Sequence, residues 1–419
     1  MKENQSVPRQ LPEKLAGAVS FFTGFTDTAV LVSVGQVAKG ICFIYSAPGW
    51  HKGEQDIQMG RRKEFLAVLP EIKDSSQYAV LLTDKPDEAL ADYLSGAGIN
   101  CPGLTLHQNW QDGDFAEGYC TAAAAYFSAV ELRSRSMVIP CSLNLLGVSD
   151  GYYNGKNDVI ELTRMLELAG YQVLACPGAG STRQEVAAMT QAEMNLVVHP
   201  ELGLALAKQL QTEYGIPYLS LPLLPYGVEG SLEWLSAIGQ VMWMGERSHQ
   251  AVREEANAVW RTMCQRVKRW EKNWGSLYFP NGLISAPGLV GGAVASALRT
   301  EWCTVGSLMV LQQTGRANVW KTAEEPSLAF SEAWLGGHLD RLENGLLLAS
   351  GYEGALAQQR GVSPACCQTI ARPVLEEEAL RQPFMGLRGA AYWVKNLWQQ
   401  YMDNCGGRSS TSKKKQYVM

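Results

Sequence analysis

Ten cysteines and five histidines are the residues of this 419-residue chain best suited to metal or redox chemistry, and their spacing decides what they can do. The cysteines are Cys42, Cys101, Cys120, Cys141, Cys176, Cys264, Cys303, Cys366, Cys367 and Cys405. No two of them form a C-x-x-C pair, so a structural zinc site is not expected. A chain of this length in a reducing compartment needs no disulfide staples. Most of these thiols, such as Cys176 closing the run YQVLAC, read as small buried hydrophobes. Phosphate chemistry has one candidate, PGAGST at 177–182, whose glycines would favour an anion at a helix start. That stretch lacks the lysine of the G-x-x-x-x-G-K-[ST] pattern, which the chain nowhere contains. A tight turn between strand and helix is the preferred reading, and no ATP site is expected in this chain.

These residues must be held by something, and the hydrophobic pattern says what. Short apolar runs alternate with helical patterns, the mark of βα units and parallel sheets. Ala29–Val34, Tyr78–Leu82 and Gly103–Leu106 read as strands, and FAEGYCTAAAAYFSAVEL as a small-residue helix. A second series starts at NLLGV, continues through the amphipathic KNDVIELTRMLELAG with Gly170 as its C-cap, and passes to the strand YQVLAC. Ser181 or Thr182 then caps TRQEVAAM, followed by MNLVVH, the helix PELGLALAKQLQTEYG, and YLSLPLL. Residues 231–274 are mainly helical, and Trp234, Trp243, Trp260, Trp270 and Trp274 read as packing anchors. A third series contains GLISAP, LVGGAVASALRTEW, SLMVLQQTG, GLLLAS and YEGALAQQRG. It closes with the helix GLRGAAYWVKNLWQQYM. The tail CGGRSSTSKKKQYVM has a disordered, basic composition.

Composition bounds the rest. Apolar residues make up 46% and charged residues 18%, enough for roughly three domains of ~100–150 residues. A net charge of −5 and a pI near 5.7 give no electrostatic case for nucleic acid. No apolar run reaches the ~18 residues of a membrane helix, and the N-terminus has no signal-peptide core, so a cytoplasmic protein without membrane contact is expected.

Several of these stretches, in order along the chain, are similar to the nitrogenase component 1 family. The most specific are NLLGVSDGYYNGKNDVIELTRMLELAGYQV, PGAGSTRQEVAAMTQAEMNLVV, ELGLALAKQLQTEYGIPY and RQPFMGLRGAAYWVKNLW. LAGAVSFFTGFTDTAVLVSVG and LHQNWQDGDFAEGY match more loosely. The resemblance implies an α/β fold of three Rossmann-like, doubly wound domains around a central cleft. On this chain they would span 1–138, 139–274 (with the helical extension) and 275–404, leaving 405–419 as the tail. It also implies pairing with a homologous component 1 subunit in an α2β2-like assembly. Electrons would come from a separate ATP-dependent [4Fe–4S] reductase, and an iron–sulphur cluster or metallocluster would be shared with the partner subunit, under anaerobic conditions.

The family's cluster cysteines are the point of departure. Aligning the motifs places Glu13, Ala38 and Lys85 where the first domain normally supplies three thiolates. Cys42 lies about one helical turn beyond Ala38. It reads first as a core residue of GICFIY and second as a displaced ligand. Glu13 has two readings, a carboxylate ligand in place of a thiolate and a solvated residue. Cys120 reads as structural. The catalytic subunit of the family anchors its cofactor through a cysteine after the strand resembling MNLVV, where this chain has His199, and through a histidine in the closing motif, where it has Met385. Imidazole is a competent iron ligand, so His199 is either a metal ligand or a strand-end residue bonded locally. Met385 is a soft, weak donor or a core residue. His107 falls in a segment near the family's subunit interface, and Arg388 matches its closing arginine, facing either an anionic ligand or a salt-bridge partner.

Two functions follow from the resemblance. The chain is expected to be the non-catalytic, β-like half of a reductive oxidoreductase complex, inactive when isolated. The alternative is an assembly scaffold or carrier that binds a metallocluster precursor or tetrapyrrole without turnover.

Overall fold

A computed structural model of the protein describes residues 12–33, 45–46, 78–84, 104–149, 151, 154–243, 246–314, 319–322, 325, 327–372 and 382–414. In chain order the first elements are α1 (Glu13–Thr23), β1 (Ala29–Ser33), β2 (Tyr45–Ser46), β3 (Ala79–Thr83), β4 (Thr105–His107) and α2 (Phe115–Ala129). Next come β5 (Ile139–Leu146), α3 (Gly155–Leu168), β6 (Gln172–Ala175), α4 (Arg183–Ala188), β7 (Ala192–Val197), α5 (Pro200–Tyr214) and β8 (Tyr218–Ser220). Two helices follow, α6 (Gly227–Val241) and α7 (Glu246–Trp274). The last series is β9 (Tyr278–Ala286), α8 (Val290–Ala297), β10 (Thr304–Gln313), β11 (Trp320–Thr322), α9 (Glu332–Leu339), β12 (Leu346–Ser350), α10 (Gly351–Gln359), β13 (Cys366–Ala371) and α11 (Gly386–Lys414).

The strands form three sheets, ordered β2-β1-β3-β4, β6-β5-β7-β8 and β11-β10-β9-β12-β13. In the first, β1, β3 and β4 are parallel and β2 is an antiparallel edge. In the third, β10, β9, β12 and β13 are parallel, and β11 adds an antiparallel edge. The second and third sheets share one winding. In each the first strand has its successor on one side (with the edge strand β11 beyond β10 in the third sheet) and the last two strands on the other, which is the doubly wound arrangement with a switch point beside the first strand. Helix ends follow the sequence. Thr182 accepts from the Glu185 N–H while the Glu185 carboxylate accepts from the Thr182 N–H, a complete capping box. Gly215 ends α5 in the left-handed conformation.

The chain divides into two compact units, one of Met1–Pro140, Asn144–Gly151 and Leu174–Tyr218, the other of Cys141–Leu143, Tyr152–Val173 and Leu219–Met419. In the first unit α1 lies directly on α2. Gly17 faces the Phe115 carbonyl and Gly118 faces the Lys14 carbonyl so closely that neither position has room for a Cβ. The rings of Phe21, Phe25, Tyr119 and Tyr126 interlock beside this contact, with Phe21 5.1 Å from Tyr119 and 5.4 Å from Phe25. In the second unit α11 packs through Trp393 and Trp398, both fully buried.

Two expectations need correction. Of the five tryptophans read as packing anchors, Trp234 is fully buried, but Trp243, Trp260 and Trp274 are 64%, 40% and 49% exposed. The reason is that α7 buries one face, through Val252, Ala256 and Met263, whereas Trp243 precedes the helix, Trp260 lies off that face and Trp274 is its last residue. The final helix also runs on to Lys414, into the stretch that composition assigns to a disordered tail. Extending a helix costs far less than nucleating one, so a docked helix carries poor formers with it.

Candidate functional site

The carboxyl edge of the second sheet holds the candidate that the sequence singles out. Strands β5 and β7 are neighbours there, and the Val198 N–H donates to the Leu146 carbonyl at 2.9 Å as the last link between them. His199 comes next. It is the N-cap residue of α5, its carbonyl accepts from the Leu202 and Gly203 N–H groups, and Pro200 starts the helix without needing a partner of its own. The imidazole is 3% exposed, with Nδ1 4.0 Å from the Glu201 carboxylate. Burial holds its pKa down at about 3, so the ring is neutral at physiological pH. Gly147, with φ 78°, brings β5 so close that a Cβ would lie 2.8 Å from the Gly203 nitrogen.

This depression has a definite sign. An unfolded chain takes up a proton on His199 below about pH 6.5, and the folded protein does not, so His199 lowers stability as pH falls through 6.5 toward 3. The expected result in a histidine NMR titration is a His199 signal that stays at its neutral position from pH 8 to pH 5. A midpoint near 6.5 would show that the ring is open to water.

Elsewhere in the first unit, hydroxyls and glycines are held by one another and by backbone groups. Ser20 and Ser149 share a hydrogen bond of 2.6 Å, and Ser20 Oγ also accepts from the Gly151 N–H. The Tyr119 hydroxyl donates to the carbonyls of Val148 and Pro177, at 3.0 and 3.1 Å. The glycine-rich turn at 177–181 is packed from the other side by Gly24, whose carbonyl accepts from the Gly180 N–H at 2.7 Å. With α4 capped by its own Glu185 carboxylate, this turn is a tight βα connection.

The remaining first-unit candidates are dispersed. Glu13 is the half-exposed first residue of α1, and His107 is exposed at the end of β4. The Cys120 thiol donates to the Glu201 and Leu202 carbonyls at 3.4 and 3.5 Å. Burial, with Asp114 and Glu201 nearby, pushes its pKa up to about 11, so it is no nucleophile. Ala38, Cys42 and Lys85 lie outside the described residues.

In the second unit the closing motif is held by two buried carboxylates of α3. Asp158 Oδ1 accepts from the N–H groups of Phe384 and Met385, at 2.6 and 2.9 Å. Glu161 accepts from the Arg388 N–H at 3.0 Å and is bridged by Arg164, which also holds Glu255. Gly386, with φ 76°, lies against Glu161 where no side chain fits. Met385 is 1% exposed, a packed core residue in this unit. The Arg388 guanidinium is 60% exposed, with Nε 3.6 Å from Glu161. Asn154 adds a bond from Nδ2 to the Gln382 carbonyl at 2.6 Å. At the carboxyl edge of the third sheet Glu353 is buried and saturated, accepting from Ser285, Trp320 and Ser350.

Sequence reasoning did not find Asp158, Glu161 or Glu353. Asp158 and Glu353 sit in the first turns of helices, where an acid ordinarily answers the helix dipole. Only the capping box Ser350-x-x-Glu353 carries a local signal.

Among the described residues no three His, Cys, Asp or Glu side chains gather as a metal ion requires. The donor chemistry at the positions that the resemblance assigns to cluster ligands tells more. An alanine has no donor atom, a lysine ammonium has no lone pair, and Glu13 stands half-exposed on a helix start. This set does not fit a thiolate-held iron–sulphur cluster. His199 fits iron in chemistry, as a neutral imidazole, but its ring is 3% exposed.

A doubly wound α/β protein with its candidate histidine at a sheet switch point is the class that fold and site define. Residues 105–273 match the family described as nitrogenase component 1 type oxidoreductase. The chain is nitrogenase component 1-like. Among curated proteins it is similar to a subunit of the light-independent protochlorophyllide reductase of Rhodopseudomonas palustris (strain BisA53), 24% identical over 59% of this chain and 46% of that protein. The same reductase subunit from Nostoc punctiforme is 31% identical over 24% of this chain and 20% of its own length. The chain thus spans half or less of these relatives. Among solved structures, "Nitrogenase Cp1 at pH 5" has the same fold, with a TM-score of 0.64 at 14% identity over 96% of this chain and 91% of that one. Among the described residues no helix is long and apolar enough to cross a membrane.

Proposed function

We propose that the chain is the non-catalytic, β-like half of a nitrogenase-like component 1 complex in the cytoplasm. It would pair with a homologous, cluster-bearing subunit and help shape the shared cleft. It would also form part of the surface on which a separate ATP-dependent iron–sulphur reductase docks. One observation carries this reading. The fold likeness runs along 96% of the chain, and the motif resemblance assigns Glu13, Ala38 and Lys85 to the places where the family has its cluster thiolates. A chain selected to hold a cluster by itself keeps its donors, whereas a chain selected to complete an assembly keeps its frame.

The residues of this chain then act by shape and charge. Asp158 and Glu161 fix the closing motif, and Gly147 and His199 close the edge of the second sheet. The metal chemistry, supplied by the partner subunit, would be the electron-transfer step.

The test is anaerobic expression of the chain alone and together with a paralogous subunit, followed by iron analysis and the electronic spectrum. The expected outcome is an iron-free isolated chain, and a stable complex with the paralogue that turns over only when the reductase and ATP are added. Iron bound by the isolated chain and lost in His199→Ala or Cys42→Ala would overturn this reading in favour of the scaffold or carrier.

A further inference from the structure

On the side of α7 away from its buried face, the last turns carry charge of one sign. Arg261, Gln265, Lys268 and Lys272 recur at i, i+4, i+7 and i+11, so they share one face of the helix, opposite Val252, Ala256 and Met263. All four are exposed, and the exposed Arg266 and Arg269 stand on the same turns. At 1.5 Å per residue the stripe is about 17 Å long. Between Ala256 and Trp274 the sequence has one acid, Glu271. Among the described residues none of these five cations is in an ion pair.

A helix face that serves only to meet water interleaves both signs, with acids and bases at i, i+4. Here Lys268 and Lys272 stand at that spacing and repel each other. The helix dipole accounts for Lys272 in the last turn, but its field does not reach back to Arg261. Aromatic residues mark the two ends. Trp260 directly precedes Arg261, Trp274 follows Lys272 by two residues, and both indoles are exposed. Exposed tryptophan beside exposed arginine is the composition of a contact surface, since these two residue types supply the anchors of protein interfaces.

Such a stripe attracts a polyanion, and its length says which. The whole chain carries a charge of −5, so its surface away from the stripe is acidic. A nucleic-acid duplex or a bilayer extends well past about 17 Å and meets that acidic remainder. A short polypeptide segment ends where the cations end. We propose that this face of α7 docks an acidic polypeptide segment, whose carboxylates pair with Arg261, Lys268, Arg269 and Lys272 and whose ends lie on Trp260 and Trp274. The surface belongs to one helix of the second unit and does not depend on the subunit role above.

The experiment follows the fluorescence anisotropy of a labelled peptide of four Glu-Glu-Leu-Glu repeats, titrated with the full chain at pH 7 and about 50 mM salt. The same peptide with glutamine at every glutamate is the neutral control. Saturable binding is expected for the acidic peptide alone, weakening at least about tenfold when salt is raised to about 300 mM. The triple variant Arg261→Gln, Lys268→Gln and Lys272→Gln should weaken it at least about tenfold, as should Trp260→Ala. Lys208→Gln, which removes an exposed cation of α5, should leave it unchanged. Glutamine is a good helix former, and circular dichroism with the melting temperature shows that each variant is folded. Equal binding of the neutral peptide would overturn the proposal, as would an unchanged affinity in the triple variant or in Trp260→Ala. So would an equal loss in Lys208→Gln, no saturation up to about 200 µM, or tighter binding of an oligothymidylate or of vesicles one-third phosphatidylserine.

Discussion

Gly118→Ala is expected to destabilise the first unit by about 3 kcal/mol or more, although alanine is the better helix former by about 1 kcal/mol. The new methyl group would overlap the Lys14 carbonyl of α1, and Gly17 makes the reciprocal contact with Phe115. The helices cannot separate to make room, because Phe21 packs edge to face on Phe25, Tyr119 and Tyr126 against the same contact. Gly292→Ala is the control. That glycine is exposed in α8, with nothing within 4 Å of the added carbon, so the same substitution should stabilise by about 0.5–1 kcal/mol. Urea denaturation of the two variants measures both. Equal and positive effects would mean that α1 and α2 are not in backbone contact.

Asp158 sets the second large effect. Burial, with Glu161 nearby, raises its pKa to about 7 even though two backbone N–H groups act to lower it. Its unfolded value is near 3.9. Between these values the folded protein binds the proton and the unfolded chain does not, so stability falls as pH rises from about 4 to about 7 and levels off above. The span corresponds to roughly 4 kcal/mol at 1.36 kcal/mol per unit. Asp158→Asn keeps an acceptor for the Phe384 and Met385 N–H groups and carries no charge. It should match the parent near pH 4 and exceed it above pH 7, while Asp158→Ala strands both N–H groups and loses about 3 kcal/mol near pH 4. Because His199 contributes the opposite slope at acid pH, the informative quantity is the difference between variant and parent at each pH. A difference that does not vary between pH 4 and pH 8 would contradict the raised pKa.

How much of this was legible beforehand depends on how local each signal is. The alternation of strand and helix needed only neighbouring residues, and Ala29–Ser33, Gln172–Ala175 and Leu346–Ser350 stand where their apolar runs place them. The cap at Thr182 was legible for the same reason. Gly170 was placed within one residue, since α3 ends at Leu168 and Gly170 takes φ 90° just beyond the C-cap. The short helix α9 was not foreseen, because EAWLGGHL carries two adjacent glycines and is held by its place on the third sheet's core. Which tryptophans are exposed was also hidden, since composition gives no rotation for a helix.

The site divides along the same line. His199 could be located by motif alignment at a strand end, and it does follow β7 at the carboxyl edge. That its ring is buried and neutral is a property of the folded neighbourhood. Asp158 had no sequence signal because its partners lie 226 residues further along.

That separation also has a consequence in time. A ribosome adding about 5–20 residues per second needs roughly 10–45 s to make the chain between Asp158 and Phe384. Throughout that interval α3 has been synthesised, but the loop its carboxylates receive does not yet exist. Both acids remain hydrated, and the surface that will accept the loop waits open. The second unit is therefore completed late, by a segment that must arrive and be dehydrated together with the acids it meets. A nascent chain stalled before residue 384 should behave as an unfinished unit, open to chaperones and proteases.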